Sequence, residues 1–202
     1  MNSKTEPQLI LASASPRRSE LLTQIGVKHR KLAVDICEDK LPDETAMQYV
    51  ERLAREKARA GFKLAGCGRP ALGSDTSVVI DGQVLGKPVD EQDAVSMLMQ
   101  LSGRVHQVMT AVAVCDGDRL LSQVVTTDVT FVTLTQAQCR LYWQSSEPCD
   151  KAGAYGIQGL GAVFVASISG SYSAVVGLPL METARMLAEF DVPVWATVDT
   201  TH

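Results

Sequence analysis

Apolar and polar residues follow two different periods along this chain, and the pattern predicts strands interleaved with helices. An apolar strand beginning at Leu9 leads directly into a helix that we expect to run to about Ile25, and a second strand is predicted at 29–34. A long amphipathic helix with a densely charged face is predicted from about Glu44 to Leu64. This order predicts an α/β or α+β sheet rather than a strict Rossmann alternation.

The middle and the end of the chain continue the alternation. Residues 71–80 form a predicted strand, and the Asp81-Gly82 pair after it is typical of a hairpin turn. Asp90 is the expected N-cap of the next helix, which Gly103 ends. The remaining predicted elements are an antiparallel pair of strands at 105–115 and 120–132, a helix at 136–145 and a last helix at 180–190.

One long segment carries no charge, so hydropathy alone would favour a membrane span. From Ala152 to Met181 the chain has no Asp, Glu, Lys, Arg or His. Six glycines interrupt the segment, residues 163–168 alternate, and Ser169-Gly170-Ser171 predicts a turn. A spanning helix needs about 20 mostly apolar residues without such interruptions. We therefore predict a buried β-hairpin here and no membrane partner.

Composition and charge limit the class of protein. The chain has 202 residues, of which 46% are hydrophobic, and this suits one globular domain or two small lobes that share a cleft. The net charge of −4 and the isoelectric point near 5.4 argue against a nucleic-acid binder, whose phosphate contacts require a basic face. The five cysteines include no C-x-x-C pair, so they predict neither a disulfide framework nor a zinc site.

The N-terminus gives an expectation about localisation. It is polar up to Gln8, and the apolar stretch that follows is too short for the hydrophobic core of a secretion signal. We therefore expect a cytoplasmic protein.

The turn after the first strand has the composition of an anion site. Ser15 is placed to cap the following helix with its hydroxyl, and Pro16 takes the first helical position. Arg17 and Arg18 then lie beside the unpaired N–H groups and the positive end of the helix dipole. A bound phosphate or carboxylate would offset this gathering of positive charge. An ordinary turn with solvated arginines is the alternative, and this segment alone leaves both open.

Two further charged residues stand out by their surroundings. Asp75 interrupts an otherwise apolar strand, so its carboxylate must be paired, bound to a metal or exposed in a cleft. Lys87 follows the predicted hairpin without an acidic helix neighbour, and an ordinary surface lysine is the alternative. The charges of the long helix, Lys57 among them, are interpreted mostly as a solvated face with i,i+3 and i,i+4 pairs.

The segment from Lys151 to Gly161 is rich in glycine, which lets its backbone approach a ligand closely. Tyr155 and Gln158 are its polar side chains. The order of its glycines differs from the dinucleotide-binding fingerprint, and the chain has no Walker A sequence. The segment therefore indicates a ligand loop without naming the ligand.

Taken together, these segments resemble the Maf family of nucleoside triphosphate pyrophosphatases. The motifs occur in the same order as in that family, and the resemblance covers nearly the whole chain. They are Leu11–Arg18, Gly73–Thr76, Gly86–Pro88, Leu101–Gly103, Lys151–Gly159 and Gly170–Tyr172.

The resemblance implies an activity and a fold. Maf proteins cleave the α–β phosphate link of a nucleoside triphosphate, which releases a monophosphate and pyrophosphate, and they need a divalent cation, Mg²⁺ or Mn²⁺. The implied fold is a Maf/ITPase-like α/β fold, in which an elongated central mixed β-sheet with flanking helices forms two lobes around a cleft. Residues 1–202 would then be a single domain of this kind.

The resemblance also implies roles for individual residues. Asp75 matches the proton acceptor, and Glu38 and Asp75 are the carboxylates that would hold the metal. Cys37 lies where family members often have a second acid, so Glu38 would act with fewer carboxylates here. The residues that would bind the substrate phosphates are Ser13, Arg17, Arg18, Lys57 and Lys87.

Specificity is assigned by the same resemblance. Arg17, Thr76 and Gln158 match the set found in the branch that prefers dTTP and UTP, and modified pyrimidine nucleotides are further candidates in the house-cleaning of nucleotide pools. The Gln158 amide can both donate and accept, which suits the O4 and N3–H edge of uracil or thymine.

Two alternatives remain beside the enzyme. One is a non-enzymatic nucleotide-binding regulator of septum formation and cell division, and the other is a nucleotide-dependent transferase, for which no acceptor site can be located. The expected partner is a nucleoside triphosphate and not a nucleic acid. The oligomeric state is left open, with a homodimer as one candidate.

Overall fold

The computed structural model describes residues 7–195. The strands are β1 (Leu9–Leu11), β2 (His29–Lys31), β3 (Ala71–Ile80), β4 (Gln83–Leu85), β5 (Val105–Cys115), β6 (Leu120–Phe131) and β7 (Val165–Ser169). The α-helices are α1 (Pro16–Gln24), α2 (Ala46–Ala65), α3 (Glu91–Leu101), α4 (Gln136–Trp143), α5 (Tyr172–Val176) and α6 (Leu180–Ala188). Short 3-10 turns lie at Glu147–Asp150, Ala152–Ala154 and Leu160–Phe164.

The seven strands within residues 7–195 form one mixed sheet in the order β2-β1-β3-β5-β6-β7, with β4 paired to β3. β1 runs parallel to both β2 and β3, with Ile10 opposite Arg30 and Ala71. β4 is antiparallel to β3, and β7 is antiparallel to β6. Because β1 and β3 are parallel neighbours, the turn that follows β1 lies beside the middle of β3, where Asp75 is found.

The chain divides into two compact units. Among the described residues, the first unit comprises 7–75, 111–124 and 177–195, and the second comprises 76–110 and 125–176. The division falls within β3, β5 and β6, so each of these strands contributes residues to both units. The expected cleft between two lobes stays a prediction.

In the first unit, α2 lies directly on β1 and β3 because two glycines leave room for the contact. A Cβ at Gly61 would lie 2.5 Å from the Cβ of Ala12, and a Cβ at Gly73 would overlap the carbonyl oxygen of Ala54. Glycine is therefore required where this helix and these strands approach each other. The close approach sets Lys57, on the same turn of α2, against the middle of β3.

The second unit is built around an aromatic cluster. His106 on β5 is 2% exposed and packs edge-on against Phe131 and Tyr155, with ring centroids 4.9 and 5.5 Å away. Its Nε2 lies 2.8 Å from the Tyr155 hydroxyl, while its Nδ1 has no hydrogen-bond partner among the described residues. The cluster anchors the start of the glycine-rich segment in the core through Tyr155.

The predicted hydroxyl cap at Ser15 is wrong. Ser15 occupies the N-cap position of α1, but its side chain makes no capping hydrogen bond. Its backbone N–H instead donates to Ser13 Oγ at 3.1 Å. The hydroxyl that orders this turn therefore belongs to Ser13.

The predicted buried β-hairpin between Ala152 and Met181 is also wrong. Within this fully described segment, β7 is one partly exposed strand paired with β6, and α5 follows it in place of a second strand. Gly170 has a φ of +132°, and a Cβ there would lie 2.8 Å from Thr127 Oγ1, so this glycine seats the chain against β6. Across residues 7–195, none of the helices combines the length and the apolar character needed to cross a membrane.

Most other predicted elements are confirmed, with small shifts at their ends. The hairpin turn at Asp81-Gly82 joins β3 to β4, and Asp90 caps α3 by accepting a hydrogen bond from the Asp93 N–H at 2.8 Å. The strand predicted at 29–34 ends earlier, at Lys31. The mixed sheet with flanking helices is confirmed as the fold class.

Candidate active site

The turn between β1 and α1 fixes an arginine close to an acidic residue. Ser13, which is 8% exposed, accepts a hydrogen bond from Arg18 Nη1 at 3.2 Å. Burial lowers the pKa of the Arg18 guanidinium, Asp75 opposes that shift, and the charge of Arg17 adds to it. Positive charge therefore gathers at this turn beside the Asp75 carboxylate, and an anion site here stays a prediction.

Sequence reasoning missed two residues that hold Arg18 in place. The guanidinium Nε donates to the carbonyl oxygen of Gly177 at 2.9 Å. The buried Ser74 hydroxyl donates to the same oxygen at 3.0 Å. Ser74 directly precedes Asp75 on β3, so one carbonyl links the strand that carries the acid to the helix that carries the arginine.

Lys57 joins the two predicted carboxylates. Its Nζ lies 2.8 Å from Asp75 Oδ1 and 2.7 Å from Glu38 Oε1. The Lys57 side chain is only 12% exposed, so the interpretation of this residue as part of a solvated helix face is wrong. The buried Asp75 is paired, as one of the three environments expected for it.

The environment of Asp75 suits a group that exchanges a proton. Burial raises the pKa of the Asp75 carboxyl, while the nearby Lys57 and Arg18 partly offset that shift. A base works best when its pKa lies close to the working pH, so a raised carboxyl pKa favours proton abstraction from water.

The segment that carries Glu38 is tied to α2 by residues that the sequence patterns did not single out. The Tyr49 hydroxyl donates to the carbonyl oxygen of Glu38 at 2.8 Å. Arg52 donates to the carbonyl oxygen of Asp39 at 3.0 Å and pairs with Glu44 at 2.7 Å. The hydrogen bond from Arg52 lowers the pKa of the Glu44 carboxyl.

The remaining predicted residues lie in the second unit. The hydroxyls of Thr76 and Thr110 are 3.1 Å apart, and Thr110 donates to the carbonyl oxygen of Ala174 at 2.7 Å. Lys87 and Gln158 both have exposed side chains.

The segment before Lys87 contacts the start of the glycine-rich segment. The Gly153 N–H donates to the carbonyl oxygen of Gly86, the residue before Lys87, at 2.9 Å. Gly153 has a φ of +68°, and a Cβ there would lie 2.9 Å from the Val78 side chain, so glycine is required at this contact.

The structure thus brings together six of the predicted residues in the first unit. They are Ser13, Arg17, Arg18, Glu38, Lys57 and Asp75. Among residues 7–195, no group of three or more His, Cys, Asp or Glu side chains gathers around one point as a metal site. All five cysteines lie in that range as free thiols.

Comparison with known proteins gives one consistent family. A family model described as Maf-like protein matches residues 8–190. The dTTP/UTP pyrophosphatase of Saccharophagus degradans is 57% identical over 93% of this chain and 90% of its own length. The dTTP/UTP pyrophosphatase of Pseudoalteromonas translucida is 59% identical over 89% of this chain and 95% of its own. The dTTP/UTP pyrophosphatase of Escherichia coli K12 is 56% identical over 91% of this chain and 93% of its own length.

Proposed function

The chain belongs to the Maf family, and on that premise we propose that it hydrolyses dTTP and UTP to the nucleoside monophosphate and pyrophosphate. The observation that carries the proposal is the pair of carboxylates, Glu38 and Asp75, joined by the ammonium of Lys57. Hydrolysis of a phosphate link needs a base for water and positive charge for the leaving group. This cluster supplies both.

Asp75 is the proposed base. Its carboxylate takes a proton from the water that attacks the α-phosphorus, and the bond from that phosphorus to the bridging oxygen breaks as pyrophosphate leaves. The raised pKa of the Asp75 carboxyl favours this transfer. Lys57 holds Asp75 in one position by a hydrogen bond of 2.8 Å.

Positive charge stabilises the departing pyrophosphate. Ser13 fixes Arg18 at the start of α1, and Arg17 lies in the same turn, so both guanidinium groups can bring positive charge to phosphate oxygens bound there. We assign Lys57 and Lys87 to the same task, as the family resemblance implies. Lys87 has an exposed side chain, which leaves its ammonium accessible to a ligand.

A divalent cation, Mg²⁺ or Mn²⁺, fits the donor set of the first unit. Mg²⁺ is commonly bound by one or two carboxylates together with substrate phosphates and water. Glu38 and Asp75 are two carboxylates brought to one point, with Glu38 about half exposed, and they would hold the ion. When bound, the cation neutralises charge on the phosphate oxygens.

Base recognition is assigned to Thr76 and Gln158, with Arg17 as the third residue of the set. The exposed Gln158 amide offers a donor and an acceptor to the O4 and N3–H edge of uracil or thymine. A purine presents a different pattern, and an amide that a bound base covers and leaves unpaired costs about 1–3 kcal/mol. Modified pyrimidine nucleotides with the same edge are also expected substrates.

Three finer assignments belong to the same proposal. We place the enzyme in the cytoplasm, where it would act on the nucleotide pool, and we expect no nucleic-acid or membrane partner. A homodimer is the candidate assembly, and sedimentation of the purified protein measures it.

Pyrophosphate release tests the function. The purified protein is incubated with dTTP, UTP, ATP or GTP in the presence of Mg²⁺ or Mn²⁺, and again with a chelator in excess. We expect pyrophosphate from dTTP and UTP with kcat/KM roughly 10-fold or more above that for the purine nucleotides, as the cost of an unpaired polar group implies. Nucleotide binding without pyrophosphate release under any metal would instead support the regulator.

A further inference from the structure

A hydrogen-bonded cluster around one carboxylate, that of Glu147, lies in the second unit beside the glycine-rich segment that carries Gln158. The Glu147 carboxylate accepts a hydrogen bond from the Tyr142 hydroxyl at 2.7 Å. It also accepts from two backbone N–H groups, those of Leu160 at 2.8 Å and Gly161 at 3.1 Å. One side chain therefore organises a stretch of backbone that lies 13 and 14 residues further along the chain.

The backbone is shaped to fit this carboxylate. The Gly156 N–H donates to the Tyr142 hydroxyl at 3.1 Å, so that hydroxyl both accepts from the loop and donates to Glu147. A Cβ at Gly159 would overlap the Glu147 carboxylate, and one at Gly161 would lie 2.7 Å from the Tyr142 hydroxyl. Glycines at these positions let residues 156–161, which we term the base loop, close around the carboxylate.

The Glu147 carboxylate is a charged group at neutral pH. Burial opposes its ionisation, but the Tyr142 hydroxyl and the N–H groups of Gly161 and Leu160 outweigh burial and lower the pKa of the carboxyl. Hydrogen bonds to an ionised acceptor are about twice as strong as neutral ones. The base loop is therefore held by charge-assisted bonds.

Gln158 lies in the middle of the base loop. The backbone is tied to Tyr142 two residues before it and to Glu147 two residues after it. Its own side chain is exposed. The position of this amide is thus set by bonds at both ends of a short segment, while the amide remains accessible to a ligand.

We propose that Glu147 is a positioning residue for base selectivity, which folds the base loop and thereby aims the Gln158 amide at the pyrimidine edge. The inference rests on the proposed function, because it takes Gln158 as the group that recognises the base. Glu147 touches neither the reacting phosphates nor Asp75, the proposed catalytic base. Its removal should therefore change the choice of nucleotide more than the rate of the chemical step.

The test uses the full chain and the ratio of kcat/KM for UTP to that for ATP. Glu147→Gln keeps the shape of the side chain but replaces one acceptor oxygen with an N–H₂ group, which cannot accept from a backbone N–H. We expect this ratio to fall several-fold in Glu147→Gln, mainly through a higher KM for UTP, with kcat changed less than twofold. Amide hydrogen exchange of residues 156–161, measured by mass spectrometry, should become faster.

The double variant shows whether Glu147 acts through Gln158. In a Gln158→Ala background, Glu147→Gln should leave the ratio of kcat/KM for UTP to that for ATP at its value in Gln158→Ala alone. The effects of residues that act as a unit are not additive. Tyr142→Phe removes one donor from the Glu147 carboxylate and one acceptor from the Gly156 N–H. It should therefore lower the ratio of kcat/KM for UTP to that for ATP as well, but by a smaller factor than Glu147→Gln. Glu91→Gln, an exposed residue of α3, is the matched control and should behave as the wild type.

The outcomes separate this inference from the function on which it rests. An unchanged ratio in Glu147→Gln with faster exchange of the base loop would overturn the positioning role, and so would an equal further fall in the Gln158→Ala background. Should Glu147→Gln fail to fold, an unchanged ratio in Tyr142→Phe decides against it. A wild-type ratio of one, or a ratio that Gln158→Ala does not alter, would count against the proposed base recognition itself.

Discussion

The two carboxylate clusters of this protein are held in opposite ways. In the first unit, Glu38 and Asp75 share the ammonium of Lys57, so charged side chains hold charged side chains. In the second unit, the Glu147 carboxylate is held by a hydroxyl and two backbone N–H groups, all of them neutral.

The difference separates the cluster proposed to carry the reaction from the one proposed to hold the base loop. Ion pairs between side chains can exchange partners at small cost when one of them is exposed, as Glu38 is. Bonds to backbone N–H groups cannot exchange without opening the loop that carries them. A phosphate or a metal can therefore enter the first cluster, whereas the second keeps one shape.

The largest expected effect is at Asp75. Asp75→Asn keeps the size of the side chain but removes the proton acceptor, so kcat should fall at least about 10²-fold, as for loss of a positioned base. The fall should be alike for UTP and ATP, because the reacting phosphates are the same in both. Steady-state kinetics on the folded, metal-saturated variant gives the value.

Asp118→Asn is the control for this change, since Asp118 is an exposed aspartate of the same unit. It should retain wild-type turnover. Full turnover in a folded Asp75→Asn protein would mean that the Lys57 cluster is only structural.

A smaller effect is expected at the other cluster. Gln158→Ala removes the proposed contact to the pyrimidine edge, so the preference for dTTP and UTP over ATP and GTP should shrink by roughly 10-fold, the factor that one unpaired polar group implies. The kcat for UTP should stay within a few-fold of wild type because Asp75 is intact. Measuring kcat/KM for all four nucleotides checks this, and an undiminished preference would refute it.

The smallest expected effect concerns stability in the aromatic cluster. Burial lowers the pKa of His106 to about 4, from an ordinary value near 6.5. The unfolded chain therefore binds one more proton than the folded chain between these values, so stability falls as pH falls below about 6.5. From pH 7.5 to 5.5 this residue should cost about 1 kcal/mol in the free energy of unfolding.

Urea unfolding at both pH values measures the change. The wild type should lose about 1 kcal/mol more than His106→Gln, which cannot titrate. Equal losses in the two proteins would show that His106 is not kept neutral by burial.

The regular elements were largely predictable because their patterns are local. β3 has its predicted bounds, Ala71–Ile80, and α2 begins and ends within two residues of the predicted 44–64. The cap of α2 is Thr45, whose hydroxyl accepts from the Gln48 N–H. The uncharged segment was harder, since the alternation at 163–168 marks a strand but not the partner with which it pairs.

The site was less predictable from pattern alone, because its contacts join residues far apart in sequence. Lys57 has the spacing of a solvated helix face, and only the close approach at Gly73 turns it toward Asp75. Family resemblance supplied that residue. Tyr49 on α2 bonds the backbone of Glu38, and Glu147 in a 3-10 turn bonds the backbone of Leu160. Contacts of this kind produce no periodic pattern in the sequence.

Product analysis tests the central claim most directly. UTP is hydrolysed in isotopically labelled water, and the products are separated by chromatography and weighed by mass spectrometry. Attack at the α-phosphorus, driven by Asp75, predicts UMP that carries the label and unlabelled pyrophosphate. UDP and orthophosphate as primary products would contradict it.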